Sequence, residues 1–170
     1  MNQKNTSSPG RFKNKKMAIV PLVVTGIIGG LYFLNRVDSK VSENPALGGK
    51  EITVYKTPTC GCCAVFISYL EKKDVAVKVE NVKSLDDIKK RNGIPPELWS
   101  CHTSIVDGYV VEGHVPIEAI EKLLSEKPNI KGIALPGMPS GTPGMPGPKT
   151  EKWEIRSLNE DGTVGTFMTI

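Results

Sequence analysis

Met17 to Leu34 run for 18 residues without one charged side chain, and this run decides how the chain can be divided. As a helix it is about 27 Å long, close to the hydrocarbon thickness of a bilayer. Lys4, Arg11, Lys13, Lys15 and Lys16 precede it with no acid, whereas only Arg36, Asp38 and Lys40 follow it closely. The bias predicts a basic cytoplasmic tail over 1–16, a transmembrane anchor over 17–34 and an extracytoplasmic remainder. The expected product is a single-pass protein of the cell membrane, its C-terminal domain on the periplasmic or extracellular side. A cleaved signal peptide competes, but its apolar stretch is usually about 7 to 15 residues, and Val37-Asp38-Ser39 is a poor cleavage site. Gly26 and Gly30 form a G-x-x-x-G, a spacing that packs helix pairs but is also common in any spanning helix.

The formal charge of +4 belongs to the leader, because residues 41–170 carry 15 Lys and Arg against 17 Asp and Glu. Nucleic acid is therefore not an expected partner. Residues 35–50, with Asn44-Pro45 and Gly48-Gly49, read as a linker, and 51–170 supply enough chain for one hydrophobic core.

Within that domain Glu51 to Tyr55 reads as a strand stopped by Thr57-Pro58. Cys63, Phe66, Ile67 and Leu70 then fall at i, i+3, i+4 and i+7, predicting a helix from Gly61 to Lys73. Val75 to Val79 alternates as a second strand. Ser84 with Asp87 offers a capping box for a helix through Ile88 to Arg91, stopped by Asn92-Gly93. Thr103–Val106 and Tyr109–Val111 flank Asp107-Gly108, a strong hairpin signal. Pro116 suits the first turn of a helix carrying Ile117, Ile120, Leu123 and Leu124. Nine of the thirteen residues from Pro136 to Pro148 are Gly or Pro, which excludes helix and central strand. In this loop Pro-Gly-Met-Pro occurs twice. Trp153–Leu158 and Val164–Ile170 around Asp161-Gly162 read as a C-terminal β-hairpin. The expected class is α/β.

Cys60, Cys62 and Cys63 lie in one Cys-Gly-Cys-Cys run, and Cys101 follows in a Cys-His-Thr triplet. A vicinal Cys62–Cys63 bridge is a poor staple, since adjacent Cα atoms are about 3.8 Å apart and disulfides prefer roughly 5.5 Å or more. Two chemistries remain open. Cys60 and Cys63 form a C-x-x-C suited to thiol–disulfide exchange, and the crowded thiolates suit a soft metal bridged between several ions. A strand-to-helix junction favours both, because the helix dipole stabilises thiolate. Adjacent thiolates do not close easily on one tetrahedral zinc, whereas they can bridge Cu(I) ions.

Cys101 adds a fourth thiolate if the third strand lies beside the first; otherwise it is a small apolar core residue. His102 and His114, the only histidines, are candidates for ligands, for hydrogen-bond partners of ligands or for proton carriers. Met138 and Met145 could offer thioether to Cu(I), or simply fill gaps beneath the loop.

Tyr55-Lys-Thr-Pro-Thr-Cys-Gly-Cys-Cys63, Pro95-Pro96-Glu97-Leu98 leading to Ser100-Cys-His-Thr103, Gly108-Tyr-Val-Val-Glu-Gly-His-Val-Pro116, and Pro136-Gly-Met-Pro with Gly141-Thr-Pro-Gly-Met145 together resemble the CopG-type copper-resistance proteins, a family long filed as a domain of unknown function. The resemblance spans roughly 51–170. It implies a thioredoxin-like fold and a cluster of more than one copper ion on Cys60, Cys62, Cys63 and Cys101. Phe66 and Tyr69 stand where relatives often carry Trp and His. The implied role is Cu(I) handling outside the cytoplasm, with a copper-transfer or redox partner protein; the alternative is a tethered thiol–disulfide or copper oxidoreductase using Cys60 and Cys63.

Overall fold

The computed structural model describes residues 47–170. The basic tail, the uncharged run and most of the 35–50 segment lie outside them. Among the described residues no helix is long and apolar enough to cross a membrane.

Seven strands form one mixed sheet in the order β2-β1-β3-β4-β5-β6-β7. β1 (Glu51–Lys56) buries Ile52 and Val54 completely and passes through the Thr57–Cys60 turn into helix α1 (Gly61–Glu71). Cys63, Phe66, Ile67 and Leu70 make the buried face of α1, as the sequence spacing predicts. The helix stops two residues before Lys73, and Asp74 at φ 57° turns the chain into β2 (Ala76–Asn81), which pairs parallel to β1.

Helix α2 (Asp86–Arg91) has acids in its first turn and bases in its last, matching its dipole. The expected capping box is not formed. Leu85 already has helical dihedrals, and Ser84 Oγ accepts from Asp86 N at 3.1 Å, one residue short of Asp87. A short 3-10 turn, Pro96–Leu98, leads towards β3 (His102–Val106).

β3 runs antiparallel to β1, with Lys56 opposite His102. That register sets Cys101, the residue before β3, beside the exit of β1 where the cysteine loop begins. The Asp107-Gly108 turn has positive φ at both positions, as a two-residue hairpin requires, and joins β3 to β4 (Tyr109–Gly113). Helix α3 (Ile117–Glu126) crosses back to β5 (Ile130–Leu135), parallel to β4.

β5 has no counterpart in the sequence reading. Lys131-Gly132 breaks its apolar run, and a Cβ at Gly132 would lie 2.0 Å from the Val110 carbonyl oxygen. The residue that hides the strand is therefore the one that lets it approach β4. β6 (Glu154–Asn159) and β7 (Val164–Thr169) extend the sheet from β5 as the expected hairpin.

One core cluster joins Ile52 and Val54 to Phe66 and Leu70 of α1, Ile120 and Leu123 of α3, Val111, Ile133 and Ile155. Leu47, within the segment read as linker, is fully buried in it. Val110, Ala134 and Leu158 point the other way and meet Ile94 and Leu98 in a second cluster. Two-residue periodicity thus divides the sheet into two covered faces.

Candidate metal centre

Cysteine-bearing segments converge at one end of the sheet, where β1 exits, β3 enters and β4 exits. Cys60 is the N-cap of α1, with extended dihedrals, and Cys62 and Cys63 lie in its first turn, which contains no acid. The approach to them is tied down from below. Lys56, 6% exposed, donates from Nζ to the Thr57 carbonyl at 2.9 Å and to Asn81 Oδ1 at 3.4 Å.

Cys60 and Cys63 are joined by a disulfide with Cα atoms 5.4 Å apart, inside the usual span. Cys62 and Cys101 are free. Cys62 Sγ lies 3.6 Å from Cys60 Sγ and 3.6 Å from Cys101 Sγ. Cys63 Sγ sits 3.6 Å from the Cys101 carbonyl oxygen. All four sulfurs fall within 4.8 Å of one another. The fourth cysteine, predicted to join only if β3 lies beside β1, is thus brought to the other three.

Both histidines come too. His114 Nε2 is 3.0 Å and His102 Nδ1 3.3 Å from Cys101 Sγ, so Cys101, His102 and His114 form a second ligand-like group sharing one sulfur with the first. The Pro143 carbonyl can only accept, so at 2.6 Å it receives a hydrogen bond from His114 Nδ1–H, which fixes the proton on Nδ1. In the neutral ring Nε2 then carries the lone pair and receives the Cys101 S–H. His102 Nε2 is buried with no hydrogen-bond partner among the described residues. The two imidazoles stack edge-on at 4.8 Å, and Phe66 lies 4.5 Å from His102.

Burial governs the protonation of this group. It pushes the Cys101 thiol up to about 12, reinforced by the neighbouring Cys62. It pulls His102 down to about 3, with His114 and Lys89 adding repulsion, and lowers His114 as well. At neutral pH the site thus holds two neutral imidazoles and a protonated Cys101.

The Gly/Pro/Met loop contacts the site through Pro143 and Gly144. Gly144 has φ +90°, and a Cβ there would lie 2.8 Å from the Cys62 carbonyl oxygen and 2.9 Å from Phe66 N. Met138 is 40% exposed with φ 49°, and Met145, next to Gly144, is half-buried.

Behind Cys101 is a group that the sequence reading does not find. Glu112 accepts from Ser100 N at 2.6 Å and from Thr103 Oγ1 at 2.6 Å, and pairs with buried Lys89, which also reaches Thr103 at 3.1 Å. One carboxylate therefore grips the chain on both sides of Cys101-His102. Its sequence signal is an acid inside the apolar run Val110-Val111-Glu112.

Four sulfurs and two neutral imidazoles in a small volume suit a soft, thiolate-binding metal once the disulfide is opened. In the disulfide state only two of the sulfurs can become thiolates.

Residues 98–145 match the family described as a protein of unknown function, DUF411. No curated protein sequence matches the chain. Two solved structures do. One, described as copper resistance protein copG, form 2, is 35% identical with a TM-score of 0.67, and the match covers 71% of this chain and 98% of that one. Form 1 is 36% identical with a TM-score of 0.65, covering 71% and 96%.

Proposed function

The chain belongs to the CopG-type copper-resistance family, and on that premise we propose that it is a membrane-anchored, extracytoplasmic protein that binds Cu(I) for copper handling and resistance. The observation that carries this reading is the gathering of Cys60, Cys62, Cys63 and Cys101 sulfurs within 4.8 Å. Reduced, they form a thiolate set able to bridge more than one copper ion. His114 Nε2 and His102 Nδ1, both beside Cys101 Sγ, would complete or support it. Met138 and Met145 remain candidate thioether donors from the covering loop. The first four strands with α1 and α3 support a thioredoxin-like core, which β5 to β7 extend. Copper is cargo here, received from or passed to a partner protein. Residues 17–34 hold the domain at the membrane.

Anaerobic Cu(I) titration of the reduced protein tests the reading. Several ions per chain should bind, protect all four cysteines from alkylation and raise the melting temperature by mass action. Cys62→Ser should lower the stoichiometry; unchanged stoichiometry would remove the central thiol and with it the cluster. The anchor is tested separately by fractionation: a soluble mature protein starting near Lys40 refutes it.

A second reading is favoured by one observation, the Cys60–Cys63 disulfide. A C-x-x-C at a helix N-terminus is built for thiol–disulfide exchange. A tethered oxidoreductase would turn over disulfides without metal.

A further inference from the structure

Cys62 stands between two sulfur neighbours of different kinds. One is Cys60, bonded to Cys63; the other is the free Cys101; each lies at 3.6 Å. A disulfide bond is about 2.05 Å long, so either contact closes by about 1.5 Å. We propose that the site is an intramolecular disulfide relay, in which Cys62 carries the bond from Cys60–Cys63 to a new Cys62–Cys101 bridge between α1 and β3.

The exchange balances without an outside oxidant. Cys62 gives its proton to solvent, and its thiolate attacks Cys60 Sγ. The Cys62–Cys60 bond forms as Cys60–Cys63 breaks, and Cys63 leaves as thiolate and takes up a proton. Reduced Cys63 then has an acceptor waiting in the Cys101 carbonyl, 3.6 Å away. In the second step Cys101 passes its proton to His114 Nε2, 3.0 Å from its sulfur, and attacks Cys62 Sγ. The Cys101–Cys62 bond forms as Cys62–Cys60 breaks, and Cys60 leaves and is protonated through solvent from the imidazolium. Two thiols are oxidised and the two sulfurs of the first bridge are reduced.

The first bridge joins residues 3 apart and the second residues 39 apart, so the exchange replaces a local link with one that closes a longer loop and constrains the unfolded chain more. The outcome returns Cys60 and Cys63 as a dithiol while the oxidising equivalent is held across the fold. This goes beyond copper binding and uses the metal-free protein alone.

The test starts from metal-free full-length protein carrying only Cys60–Cys63, held at low pH and then jumped anaerobically to about pH 8.5, near the ordinary cysteine pKa. Samples are acid-quenched, alkylated and mapped by peptide mass spectrometry. Alkylation should be lost at Cys62 and Cys101 and gained mole for mole at Cys60 and Cys63, at a rate independent of protein concentration. Cys101→Ser should stop at Cys60–Cys62 with Cys63 free, and Cys62→Ser should keep the original bridge. A bridge that stays at Cys60–Cys63 in the parent protein overturns the relay. So does a rate proportional to protein concentration, which means exchange between molecules, or a bridge to Cys101 in Cys62→Ser. The relay is read on the unmutated chain without copper, so a failed copper titration and a failed relay are separate results.

Discussion

Lys89 and Glu112 form an ion pair inside the protein, their side chains only 4% and 1% exposed. Burial pushes the Glu112 carboxyl up, while Lys89, Thr103 and the Ser100 N–H pull against it. The partners should therefore respond unequally to loss of the other. Glu112→Leu strands a buried ammonium and frees Ser100 N and Thr103, and should cost about 3–5 kcal/mol. Lys89→Met leaves a carboxyl that can take a proton, and should cost less. The double variant should recover part of the loss. Urea midpoints of the three variants check this, and equal, additive losses would contradict the coupling.

The sequence made the cysteine corner legible because two signals coincide there. Thr57-Pro58 ends a strand, and the apolar spacing from Cys63 to Leu70 starts a helix. Long-range partners left no such mark. Lys89 lies in Asp86–Arg91, where Ile88 is the one apolar residue, and only the structure shows that it too turns inward, to Glu112. The His114–Pro143 bond joins residues 29 apart in sequence. β5 was hidden by Gly132, whose missing side chain is a requirement of the fold and a break in the pattern at once.

Gly144 should resist replacement because it packs directly against the site. An added Cβ meets backbone at Cys62 and Phe66 and comes 3.0 Å from His114 Nδ1, all at φ +90°. Gly144→Ala should cost about 2–4 kcal/mol from overpacking and left-handed strain together, and should speed alkylation of Cys62. Gly137 has φ +76° but open space around its would-be Cβ. Gly137→Ala should cost only about 1–2 kcal/mol and leave the alkylation rate unchanged. Equal effects of the two substitutions would mean that Gly144 does not seat the loop on the site.

Stability should fall in acid through His102. Unfolded, its ring takes a proton near the ordinary value of about 6.5; folded, it refuses one until about 3. The unfolded state therefore binds more protons between those values, and stability present above about pH 6.5 drains away as pH falls. By pH 5 the loss from this ring is about 2 kcal/mol. Unfolding free energies at pH 7 and pH 5 should differ by that much more in the parent than in His102→Phe. Parallel pH curves would show that His102 is not held neutral by burial.

Copper uptake should be pH-dependent through Cys101, with the opposite chemistry. Its thiol is held protonated up to about 12 by burial and by Cys62, so a metal–sulfur bond at neutral pH must expel that proton. His114 Nε2, hydrogen-bonded to the sulfur at 3.0 Å, is the relay in place to pass it on to solvent, since burial disfavours the charged ring. Affinity of the reduced site should accordingly rise with pH, and the Cys101 share of the slope should be about one log unit per pH unit. Competition against a Cu(I) chelator between pH 6 and 8, with proton release followed by an indicator dye, gives both quantities. Cys101→Ser should bind more weakly, release about one proton fewer and flatten the slope by that amount. If the serine variant keeps the parent's slope and proton count, Cys101 does not bind the metal and the sulfur set shrinks to Cys60, Cys62 and Cys63 at the start of α1.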